Sequence, residues 1–155
     1  MVTRMFNQVL VLFSVGWTVS MSLPVQVNQT LPVSTTSYGE TLNKEKRTVN
    51  SPFYGEAYPN NVDIEWSIKP PASHFRIFLD FLDFQLQDCP RCSCDSLTII
   101  DGNKPTSPIL GTFCGFVLPP PFASFGHVMT LKFHSDNQTS YNGFLASYHF
   151  SRKTV

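Results

Sequence analysis

Apolar residues recur at every second position along several parts of this chain, which is the period of a β-strand. In the stretch FRIFLDF, Phe75, Ile77, Leu79 and Phe81 share one face. The same alternation gives common faces to Leu97 and Ile99, to Met129, Leu131 and Phe133, and to Phe144, Ala146, Tyr148 and Phe150. Turn signals rich in Pro, Gly and Asn separate these segments, and none has a helical apolar stripe. The pattern predicts an all-β fold, and the chain length favours a sandwich.

The beginning of the chain has the features of a secretory signal peptide. Arg4 precedes the mostly apolar run 9–19, and the small residues Ser20 and Ser22 follow it. The run is about eleven residues long, whereas a helix needs roughly twenty apolar residues to span a bilayer. We therefore predict that residues 1–22 are a signal peptide and that the chain is secreted, extracellular and without a membrane span.

The remaining residues divide by composition. Residues 23–37 are rich in Ser, Thr, Pro and Asn, which predicts a flexible N-terminal arm. Residues 38–152 have the size of one domain, and residues 153–155 form a short tail. Asn28 and Asn137 each begin an Asn-x-Thr sequon, so we predict N-glycosylation at both.

Charge and motifs exclude several functions. Lys and Arg number eleven, as do Asp and Glu, so no strong field attracts nucleic acid or an anionic membrane. The sequence has no Gly-x-Ser-x-Gly, no His-Glu-x-x-His and no phosphate-binding glycine loop. Its four histidines are scattered through strands and turns. We expect no enzyme activity, and the sequence predicts no particular oligomeric state.

Three of the four cysteines, Cys89, Cys92 and Cys94, lie within six residues, and Cys114 follows. A redox CPRC motif normally begins a helix, but strand patterns flank this one. A zinc site needs four convergent ligands, and secretion favours disulfides instead. Four cysteines permit three pairings, and the spacing does not choose among them.

Ordered blocks along the chain resemble a known family. They are SPFYGEAYPNNVDIEWSIKPP, FLDFLDFQL, CSCDSLTIIDG, ILGTFCG, MTLKFHSD and NGFLASYHF. From about Tyr38 to Phe150 these blocks resemble the CUB domain family. The resemblance implies a jelly-roll-like sandwich of two antiparallel sheets.

The resemblance also implies disulfides. The second disulfide of the family falls on Cys92 and Cys114, which leaves Cys89 to pair with Cys94. Pairing of Cys94 with Cys114, and of Cys89 with Cys92, remains open.

The first disulfide of the family is missing, because its positions hold Tyr38 and Ile64. The first CUB domain of complement-type proteases also lacks this disulfide. The chain resembles that domain in the motifs YGE at 38–40 and AYP at 57–59 as well.

Many CUB domains bind calcium between loops, and their ligand positions fall here on Gln85, Asp95, Asp136 and Tyr58. Gln85 stands where the family has Glu, so one negative charge is lost and binding should be weaker. Asp88 is a possible substitute. The alternative is that Asp95 and Asp136 hydrogen-bond loop amides.

The resemblance implies a secreted, non-enzymatic recognition module for an extracellular protein or glycan. With calcium bound, Asp95, Asp136 and Tyr58 would accept a lysine or arginine of the partner. A second candidate surface is apolar and consists of Phe78, Ile100, Phe116, Phe122, Phe125 and Val128.

Two alternative functions follow from partial resemblances. The single-domain layout and SLTIIDGNKPTSPILG resemble spermadhesins, which implies binding to carbohydrate or to gamete coats. The other alternative is a decoy or inhibitor of CUB-containing proteases.

Overall fold

The computed structural model of the chain describes residues 36–44 and 46–153. The predicted signal peptide, the sequon at Asn28 and nearly all of the predicted arm lie outside these residues. Within the two ranges the chain forms nine strands and a short 3₁₀ turn at Pro90–Cys92. The strands are β1 (Thr36–Leu42), β2 (Lys46–Asn50), β3 (Val62–Ile68), β4 (Phe75–Gln85), β5 (Ser96–Ile100), β6 (Ile109–Phe113), β7 (Phe122–Ala123), β8 (Met129–Ser135) and β9 (Gly143–Arg152). In the same residues, no helix is long and apolar enough to cross a membrane.

The strands form two sheets packed as a sandwich, which confirms the predicted all-β fold. The five-stranded sheet has the order β1-β3-β8-β5-β6, and the four-stranded sheet has the order β2-β9-β4-β7. Every strand pair is antiparallel except β1 with β3. Because β2 belongs to the other sheet, the chain crosses over between β1 and β3 and returns in the same direction. The predicted sandwich of two antiparallel sheets is therefore confirmed, with one parallel pair at the edge of the larger sheet.

The core lies between the sheets and consists of the alternating faces that the sequence predicts. Ile77, Leu79, Leu97, Ile99 and Phe144 are completely buried. Phe75, at the start of β4, is half-buried. The first part of β4 and strands β3, β5 and β9 bury every second side chain, because successive side chains of a strand point to opposite faces.

A β-bulge interrupts this alternation in β4. The register against β9 shifts between Phe81 and Asp83, and Leu82 is 57% exposed. After the bulge, Phe84 and Leu86 point into the core. A bulge adds one residue to one strand, so it exchanges the faces of all the residues that follow. The bulge thus determines which residues at the end of β4 reach the adjacent loops.

The cysteines pair in the way that the family resemblance implies. Cys89 is bonded to Cys94, and Cys92 is bonded to Cys114. No free cysteine remains in the described residues. The second bond joins the connection between β4 and β5 to the end of β6, so both disulfides stabilise the same end of the sandwich.

A designed disulfide between β1 and β3 should stabilise the domain. Tyr38 and Ile64 are direct partners in the parallel pair. We expect the double variant Tyr38→Cys, Ile64→Cys to unfold with a free energy about 3 kcal/mol higher than its serine counterpart, because the new bond restricts the unfolded chain. That difference corresponds to roughly 10 °C in melting temperature, measured by circular dichroism. The control, Tyr38→Ser with Ile64→Ser, has similar side chains and no bond. Equal melting temperatures would contradict the pairing of β1 with β3.

Candidate functional site

Three polar residues from distant parts of the sequence meet at one end of the sandwich. Tyr58 lies shortly before β3, Asp95 immediately before β5, and Asp136 immediately after β8. Since β8 lies antiparallel between β3 and β5, the starts of those two strands meet the end of β8 at one edge. We call the end formed by Tyr58, Asp95 and Asp136 the loop end.

Asp95 is the centre of the loop end. Its side chain is fully buried. Its Oδ2 accepts a hydrogen bond from the hydroxyl of Tyr58, and its Oδ1 accepts one from the backbone N–H of Asp136 at 2.8 Å. A buried carboxylate is tolerated only when such donors replace the water that it loses. Asp95 therefore holds together the loops that precede β3 and follow β8.

Tyr58 connects this carboxylate to the core. Only 1% of its surface is exposed, and its ring packs edge-to-face against Phe133 at 5.3 Å. Burial, and secondly the hydrogen bond to Asp95, raise the pKa of Tyr58 well above the ordinary value for tyrosine. The hydroxyl consequently stays protonated and donates to Asp95. It also accepts a hydrogen bond from the backbone N–H of Gln87 at 3.0 Å.

The glutamine in contact with this cluster is Gln87, whereas the family resemblance points to Gln85. Gln85 lies in β4 opposite Gly143 and has no hydrogen bond to the other predicted ligands in the described residues. Gln87 lies two residues further along, which is about 6–7 Å at the rise of a strand. Alternation does not separate the two glutamines, because Phe84 and Leu86 both point inward and leave Gln85 and Gln87 facing outward.

The Gln87 side chain reaches the loop after β8. The positions of the amide oxygen and nitrogen are assigned from the groups around them. In the assignment that satisfies both, Nε2 lies 3.3 Å from Oδ1 of Asp136 and 3.2 Å from the carbonyl oxygen of Thr139. The opposite orientation would point the amide oxygen at these two acceptors, which is unfavourable. The side chain of Gln87 therefore bridges the β4–β5 connection to the 136–139 loop.

Asp136 organises its own loop as well. Its Oδ1 accepts a hydrogen bond from the backbone N–H of Gln138 at 2.8 Å, and its carbonyl accepts one from the N–H of Asn61 at 2.8 Å. Asn60 donates from Nδ2 to the carbonyl of Gln138 at 2.9 Å. Asn137, between these anchored residues, is exposed, as a glycosylated asparagine must be.

The hydrogen bonds of the cluster weigh against a resident calcium ion. Calcium takes six to eight oxygen ligands, usually with several carboxylates among them. Here both oxygens of Asp95 accept hydrogen bonds, and Oδ1 of Asp136 accepts one from Gln138 and faces the amide nitrogen of Gln87. In the part of the chain that the structure describes, no three His, Cys, Asp or Glu side chains converge as metal ligands would. The calcium site stays a prediction, and this geometry weighs against it.

An exposed apolar segment adjoins the loop end. Phe116, Val117 and Leu118, which we call the apolar loop, are 56%, 81% and 51% exposed. The ring of Phe116 packs edge-to-face on Tyr141 at 5.0 Å, and the carbonyl of Tyr141 accepts a hydrogen bond from the N–H of Tyr58 at 3.1 Å. The apolar loop and the Asp95 cluster thus share one end of the molecule.

Backbone contacts fix the start of the apolar loop. The carbonyl of Gly115 accepts a hydrogen bond from the N–H of Leu86 at 3.0 Å. Gly115 has φ of +76°, and a Cβ built on it would lie 3.4 Å from the carboxylate of Asp88. Asp88 therefore lies against the backbone that leads into the apolar loop.

The other residues of the predicted apolar surface are placed differently. Phe125 is 74% exposed but follows β7, whose partners on β4 are near the opposite end of the sandwich. Phe78 is half-buried and stacks on His149, and Phe122 is half-buried against the core. Ile100 and Val128 are half-buried too. The predicted apolar face is therefore not one continuous surface.

The family model of the CUB domain matches residues 38–148, so the chain belongs to the CUB domain family. Cubilin from Rattus norvegicus is 39% identical over 112 residues, which are 71% of this chain and 3% of cubilin. Tolloid-like protein 2 from Homo sapiens is 36% identical over 99 residues, which are 64% of this chain and 10% of that protein. The chain thus spans only a small part of these relatives.

Solved structures agree with this assignment. The extracellular region of zebrafish Gpr126/Adgrg6 matches with a TM-score of 0.67 and 28% identity, over 76% of this chain and 15% of that one. The CUB1-EGF-CUB2 region of human MASP-1/3 matches with a TM-score of 0.65 and 29% identity. The match covers 72% of this chain and 41% of that one. The MASP-1 CUB2 domain bound to Ca²⁺ matches with a TM-score of 0.62 and 28% identity. The match covers 71% of this chain and 96% of that one.

The bond between Tyr58 and Asp95 should contribute measurably to stability. We expect Asp95→Asn and Tyr58→Phe each to lower the free energy of unfolding by about 1–3 kcal/mol, because each leaves a buried polar group without its partner. The double variant should lose less than the sum, with a coupling of about 0.5–3 kcal/mol in urea unfolding.

Tyr54→Phe is the matched control for this cycle. The hydroxyl of Tyr54 donates to Oδ2 of Asp83 at 2.9 Å, in a more exposed position. Its loss should leave stability nearly unchanged. Additive effects of Asp95→Asn and Tyr58→Phe would contradict the central role of Asp95.

Proposed function

We propose that this chain is a secreted, non-enzymatic recognition module that binds an extracellular protein through the loop end and the apolar loop. The observation behind the proposal is the exposure of three consecutive large apolar residues, Phe116–Leu118, at 56%, 81% and 51%. Exposed apolar side chains that are contiguous in this way mark interaction surfaces.

The rigidity of this surface supports the proposal. Cys114, two residues before Phe116, is bonded to Cys92, and Gly115 is hydrogen-bonded to Leu86. Phe116 packs on Tyr141. A surface that is ordered before binding loses less conformational entropy when the partner docks.

Charge supports a partner that offers a lysine or arginine next to an apolar side chain. Asp88 lies against Gly115, and Asp136 lies in the neighbouring loop. A cation that reaches these carboxylates gains charge-assisted hydrogen bonds. The apolar loop then supplies buried area, and the carboxylates supply orientation.

Secretion is part of the proposal. Both disulfides are of the kind that persist in an oxidising compartment, and the relatives with CUB domains include cubilin and tolloid-like protein 2. A glycan on Asn137 would then border the loop end and restrict the directions from which a partner can approach.

A calcium-dependent form of the same recognition is the second candidate. The similarity to the calcium-bound MASP-1 CUB2 domain favours it, and Tyr58, Asp95 and Asp136 do lie together here. In that form, the ion would fix carboxylates that accept the partner's cation. The neutral Gln87 argues against it.

Binding to an array of extracellular protein domains would test the proposal. The secreted chain should bind at least one protein, and Val117→Asp should weaken that binding at least about tenfold, since it puts a charge in the centre of the contact. Phe125→Asp is the matched control, because it alters an equally exposed apolar residue near the other end. Unchanged binding by Val117→Asp would contradict the proposed surface.

The same variants on a glycan array separate the alternatives. Binding to glycans alone, unaffected by Val117→Asp, would favour the spermadhesin-like function instead. Binding restricted to ligands of CUB-containing proteases would favour the decoy.

A further inference from the structure

We propose that the side-chain amide of Gln87 takes the bridging role of a metal ion at the loop end, so that this CUB domain orders its loops without calcium. This inference concerns the fold of the loop end and does not depend on whether the apolar loop binds a partner.

Gln87 has the contacts that such a bridge requires. Its backbone N–H donates to the hydroxyl of Tyr58 at 3.0 Å, and Tyr58 donates in turn to Asp95. In the amide orientation that satisfies its neighbours, its Nε2 lies 3.3 Å from Oδ1 of Asp136 and 3.2 Å from the carbonyl of Thr139. A primary amide has two N–H donors, so one side chain can serve both oxygens. The β4–β5 connection and the 136–139 loop are thereby joined directly.

Charge makes the amide suited to this position. Asp95 is fully buried and Asp136 is half-buried, so a third carboxylate beside them would repel both. A cation would be needed to offset that repulsion. Glutamine has nearly the same shape as glutamate but is neutral, and it offers donors where glutamate offers only acceptors. The oxygens that would bind an ion are instead satisfied by the hydroxyl of Tyr58 and by N–H groups.

The orientation of the amide distinguishes two exclusive arrangements. With Nε2 facing Asp136 and Thr139, the site is complete without an ion. With the amide oxygen facing them, three oxygens converge, and only a cation between them would make that favourable. Without an ion, only the first arrangement satisfies both acceptors, so the amide is assigned with Nε2 toward Asp136 and Thr139.

The test compares melting temperatures of the full secreted chain in a chelator, in millimolar calcium and in millimolar magnesium. We expect the wild type to melt at the same temperature in all three. Gln87→Glu should melt at least about 5 °C lower than the wild type in the chelator, since it adds an unpaired charge to the cluster. Calcium should restore most of that loss, and magnesium should not. Calorimetric titration should show calcium binding to Gln87→Glu only.

Gln85→Glu is the matched control. It makes the same chemical change two residues earlier, where the side chain lies opposite Gly143 on β4. It should not gain a calcium response. A variant Gln87→Met, which keeps the size but removes the donors, should melt lower than the wild type regardless of calcium.

Two results would overturn the inference. One is a rise of several degrees in the melting temperature of the wild type with calcium, because the cluster would then hold an ion with Gln87 in place. The other is a calcium response of Gln87→Glu no larger than that of Gln85→Glu. If Gln87→Glu is not secreted, the wild type with and without calcium and Gln87→Met still decide the question.

Discussion

The loop end depends on one buried carboxylate. Asp95 accepts hydrogen bonds from Tyr58 and from the backbone of Asp136, which lie 37 and 41 residues away in the sequence. The hydroxyl of Tyr58 also accepts a hydrogen bond from the backbone N–H of Gln87, and the side-chain amide of Gln87 contacts Asp136. This closed circuit joins the segment before β3, the β4–β5 connection and the loop after β8. Because a buried charge without partners is costly, the loops are ordered together or not at all.

These hydrogen bonds join the loops at one end of the sandwich through polar groups. Two disulfides, Cys89–Cys94 and Cys92–Cys114, restrain the same end and position the apolar loop beside it. The result is an exposed apolar segment on a fixed frame, with the carboxylates of Asp88 and Asp136 next to it. Such a combination suits a protein partner, because exposed apolar side chains supply buried area and nearby carboxylates supply orientation.

Much of the fold could be predicted from the sequence, since a two-residue period with one buried face leaves little choice of structure. The buried faces of β5, β8 and β9 follow directly from that period. The bulge at Phe81–Asp83 and the parallel pairing of β1 with β3 could not be predicted. The parallel pairing depends on how the chain crosses between the sheets, and the bulge depends on the register between β4 and β9, so neither follows from one strand alone.

The site was predictable in part. The family resemblance indicated Tyr58, Asp95 and Asp136, and the structure brings these three together. It did not indicate Gln87, because the choice between Gln85 and Gln87 depends on where β4 ends and how the next residues turn. A shift of two residues keeps the side chain on the same face and yet decides whether it reaches Asp136. The metal question therefore depends on the geometry of one loop, which composition and spacing do not specify.

The most direct test of this account is a high-resolution crystal structure of the protein grown in millimolar calcium, with the anomalous signal of calcium recorded. The account predicts no anomalous peak at the loop end and hydrogen-bond distances from the Gln87 amide to Oδ1 of Asp136 and the carbonyl of Thr139. An anomalous peak about 2.3–2.6 Å from oxygens of Asp136 and Gln87 would contradict it, since those are the distances of bound calcium.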